Sequence, residues 1–151
     1  MPDPLASRNV ETCRMCGSSS LHRYLDLGRT PLANSYLNEQ TRNEPEFTEE
    51  LCLQLCRDCG LSQLTKVVHP DRMFRHYLYV SATTSTIRDH FAEFAATVAK
   101  AAGAKAGDLA LDIASNDGTL LAAFQAVGLK PIGVDPAENL AKEANEKGLT
   151  T

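Results

Sequence analysis

The chain has 151 residues, 43% of them hydrophobic, which is enough for a globular core and excludes a disordered chain. Its formal charge is −4, shared evenly: 7 Lys/Arg face 9 Asp/Glu before residue 70, and 8 face 10 after it. Neither half has the basic stripe that displaces counterions from a phosphate backbone, so nucleic acid is not expected as a partner.

The opening MPDPLASRNVETC has no apolar run to act as a signal peptide. No uncharged apolar stretch reaches the ~18 residues that a membrane span needs. A cytoplasmic location without membrane contact is therefore expected. In that setting the five cysteines point to metal ligands or reduced thiols rather than disulfides.

All five cysteines fall between residues 13 and 59, after which the sequence turns Ala-rich. The break is placed at the VVHPDR segment, giving a first domain over 1–70 and a second over 71–151. In the first, LHRYLDLG and ELCLQLCRDCG alternate apolar and polar residues and predict short strands, with a loop between them.

Cys13-Arg-Met-Cys16-Gly and Cys56-Arg-Asp-Cys59-Gly are two CxxCG knuckles, with 39 residues between Cys16 and Cys56. Each turn aims two thiolates at one point, and two turns complete a tetrahedral all-sulfur shell suited to structural zinc. The following glycines are expected to let amides approach the sulfurs without a Cβ in the way. A thioredoxin-like role fits less well, because neither pair closes a βαβ strand. Cys52 reads as a small buried hydrophobe.

In the second domain, Ile87, Phe91, Phe94 and Val98 mark an amphipathic helix, with Thr86 and Asp89 as its capping box and an end near Gly103. His90 falls on its apolar side and reads as a core histidine. LALDIA predicts a buried parallel strand and GTLLAAFQAVG a helix stopped by Gly128. PIGVD predicts a second strand. AENLAKEANEKG predicts a second helix, with Pro136 in its first turn and Gly148 at its end. This βαβα order is how a doubly wound α/β sheet begins.

LDIASNDG lies at the first strand-to-helix turn, and Asp135 ends the next strand 23 residues after Asp112. That layout suits a nucleoside-type cofactor, with the acid at the second strand tip holding ribose hydroxyls. The glycine-like positions read Ala114, Asn116 and Gly118, a turn poor for pyrophosphate but compatible with S-adenosylmethionine (SAM). Asp112 can sit near the cationic methionine moiety. A competing reading makes Asp112 a turn residue and Asp135 with Glu138 a capping box.

CRMCG, LDLGRTPLANSYL, CRDCGLSQL, MFRHYLYVSATTSTIRDHF, LDIASNDGTLL and GVDPAENLAKEANEKG occur in this order from Cys13 to Thr151. With these motifs the chain resembles the C-methyltransferases that act on nucleotide-linked keto-deoxysugars. The resemblance implies a four-cysteine zinc module of short strands, followed by the first βαβα part of a Rossmann-like SAM domain. It also implies a dTDP-linked 4-keto-6-deoxysugar substrate, methylated beside its ketone through an enolate. Tyr77 matches a linker tyrosine that reaches the active site in that family; its plain alternative is packing. Ala114 departs from the family's usual glycine. The rest of the methyltransferase is expected beyond Thr151, so the chain by itself is expected to be inactive. The competing functions are a non-catalytic zinc-ribbon interaction module and a short redox protein.

Overall fold

The computed structural model describes residues 3–151, which divide into two compact units, the first ending at Met73 and the second beginning at Phe74. The first is built on antiparallel strands and the second on a parallel pair with helices, giving an α/β chain.

In the first unit, β2 (Leu21–Pro31), β3 (Thr48–Cys56) and β4 (Ser62–Leu64) form an antiparallel sheet in the order β2-β3-β4. A second, two-stranded ribbon pairs β1 (Arg8–Asn9) with β5 (Lys66–Val67). The two long strands are those predicted by alternation. β2 changes register between Asp26 and Arg29, where Gly28 adopts φ 74° and its amide bonds to Asp26 Oδ1 at 2.8 Å. The core here is small: Val10, Cys13, Cys52 and Cys56 are its buried apolar residues. Pro70, read as a break, begins a short helix, α1 (Pro70–Phe74). A proline suits that position because the first helical amide has no partner to lose.

The second unit runs α2 (Ser85–Ala101), β6 (Leu109–Ile113), α3 (Thr119–Ala126), β7 (Lys130–Val134) and α4 (Glu138–Glu146). β6 and β7 pair in parallel, with Leu111 opposite Ile132 and Asp112 opposite Gly133. Ala95 of α2 and Phe124 of α3 pack with Leu129 in one cluster, while Leu121, Ala144 and Leu149 form another.

Several local expectations are corrected. The cap of α2 is Thr84, whose side chain accepts the Ile87 amide, two residues before the predicted box. Its buried contact is Ala95, because α2 meets α3 through small residues; Phe94, Val98 and His90 are exposed. His90 is thus no core histidine, and its ring instead lies 6.3 Å from that of Phe94. Pro136 precedes α4 by two residues. The strand expected to be buried is covered on one face only: Leu109, Leu111 and Ile113 are 63–75% exposed, and Ile132 and Val134 continue that open face.

Candidate functional site

The two knuckles are built alike. The Gly17 amide bonds to Cys13 O and the Gly60 amide to Cys56 O, both at 2.9 Å. Gly17 and Gly60 both adopt φ 77°, with open space where a Cβ would stand. The glycines are therefore required by the left-handed turn and not by crowding at the sulfurs, which corrects the sequence-based reason for them.

A pair of buried glutamines seats the first knuckle beside the second. Gln54 and Gln63 are opposite each other on β3 and β4. Gln54 Nε2 donates to Val10 O at 2.9 Å, Gln63 Nε2 donates to Thr12 O at 3.2 Å, and Gln63 Oε1 accepts the Arg14 amide at 3.0 Å. Ser18 Oγ also donates to Asp58 Oδ2 at 2.6 Å, from one knuckle to the other.

The result is a four-sulfur cluster: the Sγ atoms of Cys13, Cys16, Cys56 and Cys59 all lie within 4.8 Å of one another. The Cys13–Cys59 and Cys16–Cys56 separations are 3.5 and 3.6 Å. A tetrahedron with Zn–S bonds of about 2.3 Å has sulfurs roughly 3.8 Å apart, so the donor set and its spacing fit zinc with little adjustment. Cys52, 1% exposed, stands outside the cluster.

The thiols do not titrate alike. Cys13 is held down to about 6, first by the Cys16 amide, against an opposing effect of burial. The Leu61 amide favours the thiolate of Cys59, but Cys13, burial, Cys16 and Cys56 outweigh it and push Cys59 up to about 12. In Cys16 the Ser18 amide, helped by Cys59, is overcome by burial and by Cys56 and Cys13, and the pKa rises. Metal uptake must therefore displace protons from Cys16 and Cys59, and it weakens as pH falls.

The second constellation lies at the carboxyl ends of β6 and β7. Ala114, Asn116 and Gly118 adopt φ 68°, 51° and 78°, so the three glycine-like positions are the left-handed residues of the turn. Asparagine tolerates this region through its short polar side chain, whereas alanine is strained there. Gly118 is held twice over, since a Cβ would come within 2.7 Å of Leu149 Cδ1.

Asp135 is fixed by two amides: Asn116 N bonds to its Oδ2 at 2.7 Å and Ala137 N to its Oδ1 at 2.8 Å. It makes no capping box with Glu138; the residue before α4 has no side-chain cap. Asp112, on the neighbouring strand, has its pKa raised by burial and then by the charge of Asp135. A cation or a set of hydroxyl donors would relieve that repulsion.

Asp135, Ala114, Asn116, Pro136 and Ala137 line a hollow of about 310 Å³ with Phe74 and Tyr77. Asp112, Ala114 and Asn116 also line a smaller one of about 140 Å³ with Ser81 and Phe91. The structure thus brings Tyr77 to the same hollow as Asp135, Ala114 and Asn116. Its ring meets Phe74 edge-on at 5.9 Å. Sequence reading overlooked Gln54, Gln63 and Asn139, whose side-chain amides hold backbone groups of distant segments and leave no periodic trace.

A four-cysteine cluster followed by a parallel βαβα unit with acids at both strand tips defines an α/β chain with a metal-binding module at its start. Residues 13–74 match the family described as "Putative zinc binding domain", of the methyltransferase group. Over 144 residues, 95% of this chain, the sequence is 35% identical to the C-methyltransferase NovU of Streptomyces niveus. The chain is similar to this C-methyltransferase along nearly its whole length, and it spans about a third, 34%, of that relative's length.

Proposed function

We propose that this chain forms the zinc module and the donor-binding start of a SAM-dependent C-methyltransferase acting on a nucleotide-linked 4-keto-6-deoxysugar. In this reading residues 1–70 are the zinc-binding domain, and 71–151 are a linker helix with the first part of a Rossmann-like SAM domain. The observation that carries it is the placement of Asp112 and Asp135 at the carboxyl ends of adjacent parallel strands, with a left-handed turn after the first strand whose Asn116 amide bonds to Asp135.

Bound SAM would supply an electrophilic methyl group on a sulfonium. Asp135, already oriented by the Asn116 and Ala137 amides, keeps acceptor capacity for the two ribose hydroxyls. Asp112 offers the negative charge that a methionine ammonium and sulfonium require. Gly118 shapes the turn, and Asn116 contributes through its backbone, since its side chain is engaged elsewhere. Tyr77 lines the same hollow and would donate its phenol hydrogen to a substrate oxygen, stabilising enolate charge. Cys13, Cys16, Cys56 and Cys59 would hold zinc, and with four thiolates as its ligands the metal would fix structure and leave the chemistry to the second unit.

The experiment is methyl transfer by the polypeptide that carries this chain, using a dTDP-4-keto-6-deoxysugar and 13C-methyl SAM in heavy water. A labelled methyl group on the carbon beside the ketone, and deuterium wash-in at that same carbon when S-adenosylhomocysteine replaces the methyl donor, support the reading. Methylation of a hydroxyl or of a protein would refute it, because neither passes through an enolate.

A further inference from the structure

The segment 75–82 belongs to none of the three sheets, yet its backbone is held at every second residue. Arg75 O accepts the Glu138 amide at 3.0 Å. Tyr77 N donates to Asn139 Oδ1 at 3.0 Å, and Tyr77 O accepts from Asn139 Nδ2 at 2.8 Å. Tyr79 O accepts from Asn116 Nδ2 at 3.1 Å, and Ser81 N donates to Asn116 Oδ1 at 2.9 Å. Ala82 N then donates to Asp117 Oδ2 at 3.0 Å.

Two carboxamides thus do what a neighbouring strand would do. A carboxamide carries one acceptor and two donor hydrogens in a plane, so it can pair with both sides of a peptide at once. Asn139 does this with Tyr77 alone, which fixes the height of that residue and its rotation about the strap. Asn116 does it across Tyr79 and Ser81.

Both anchors hang from one carboxylate. Asp135 Oδ2 holds the amide of Asn116 itself, and Asp135 Oδ1 holds the amide of Ala137, two residues before Asn139. We propose that Asn139 is a positioning residue that holds Tyr77 at the mouth of the Asp135 hollow, and that with Asn116 it ties the 75–82 strap to the donor site. This rests on the donor-site reading above. A ligand seated on Asp135 then meets a tyrosine whose backbone is braced on the same support.

The test uses the 151-residue chain, labelled for NMR, with S-adenosylhomocysteine as the probe. Asn139→Ala should speed amide exchange at Tyr77 by at least tenfold and leave Ser81 protected. Asn116→Gly, which keeps the left-handed backbone, should give the reverse pattern. Asn139→Asp retains the acceptor and should restore protection at the Tyr77 amide. Asn139→Ala should bind S-adenosylhomocysteine within about threefold of wild type but lose the shift of the Tyr77 ring resonances. Wild-type exchange and ring response in Asn139→Ala would overturn the proposal, as would a loss of affinity equal to that of Asp135→Ala. A wild-type chain that does not respond to S-adenosylhomocysteine would sink the donor reading, and the amide pattern would then decide the strap by itself.

Discussion

Asp112, next to last in β6, and Asp135, just beyond β7, stand at the carboxyl ends of neighbouring parallel strands, and the charge of Asp135 adds to burial in raising the pKa of Asp112. A raised carboxyl pKa means that the folded state binds its proton more tightly than the unfolded chain does. Stability from this group is therefore greatest at low pH and falls as pH rises through the folded pKa. Asp112→Asn should raise the neutral-pH melting temperature by about 2 °C, a small gain because the group is open to screening by solvent. The same variant should weaken S-adenosylmethionine binding roughly tenfold or more, since the cation loses its counter-charge. Thermal melts at several pH values and a donor titration check both halves.

Zinc should bind at one equivalent per chain. Cys56→Ser should lose it and Cys52→Ser should keep it, because only the former removes a sulfur of the cluster. Gln63→Ala is the more telling variant. It leaves the Arg14 amide and the Thr12 carbonyl without their partner, at a cost of about 1–3 kcal/mol. Zinc affinity should fall by about tenfold although all four thiols remain, as read by competition with a chelating dye.

The two ends of the left-handed turn should respond oppositely. Ala114→Gly relieves a strained alanine and should stabilise the protein by about 0.5 kcal/mol after the entropy of glycine is offset. Gly118→Ala meets both the left-handed backbone and Leu149, and should destabilise by roughly 2–4 kcal/mol. Urea denaturation of both variants measures the contrast.

Glu49 supplies an acid limit to the first unit. The Glu50 amide above all, with Lys66 at 3.2 Å among its other partners, holds its pKa down to about 2 from 4.5. Its contribution is complete above about pH 4.5 and disappears as pH falls toward 2. Glu49→Gln should therefore lower stability at pH 6 and change it little near pH 2, as measured by acid titration of the folded fraction.

The long strands of both units were legible because alternation and short apolar runs mark them directly, and the CxxCG repeat marked the sulfur cluster. The left-handed turn was legible in Ala114, Asn116 and Gly118 because it occupies glycine-like positions. What escaped were β1, β4 and β5, strands of two or three residues that are too short to show a period. The roles of Gln54, Gln63 and Asn139 escaped for another reason. A side-chain amide that bonds the backbone of a distant segment leaves no spacing signal around its own position. The cap at Thr84 was missed because Thr86 with Asp89 shows the capping-box pattern, whereas Thr84 has Ile87 three residues later.

The most direct test of the account is calorimetric titration of the zinc-loaded chain with S-adenosylmethionine, alongside Asp135→Ala. Saturable one-to-one binding that Asp135→Ala weakens by at least tenfold, with zinc content unchanged, is the result predicted. Tight zinc without measurable donor binding, or equal binding by Asp135→Ala, would contradict it and leave the chain as a zinc-based interaction module.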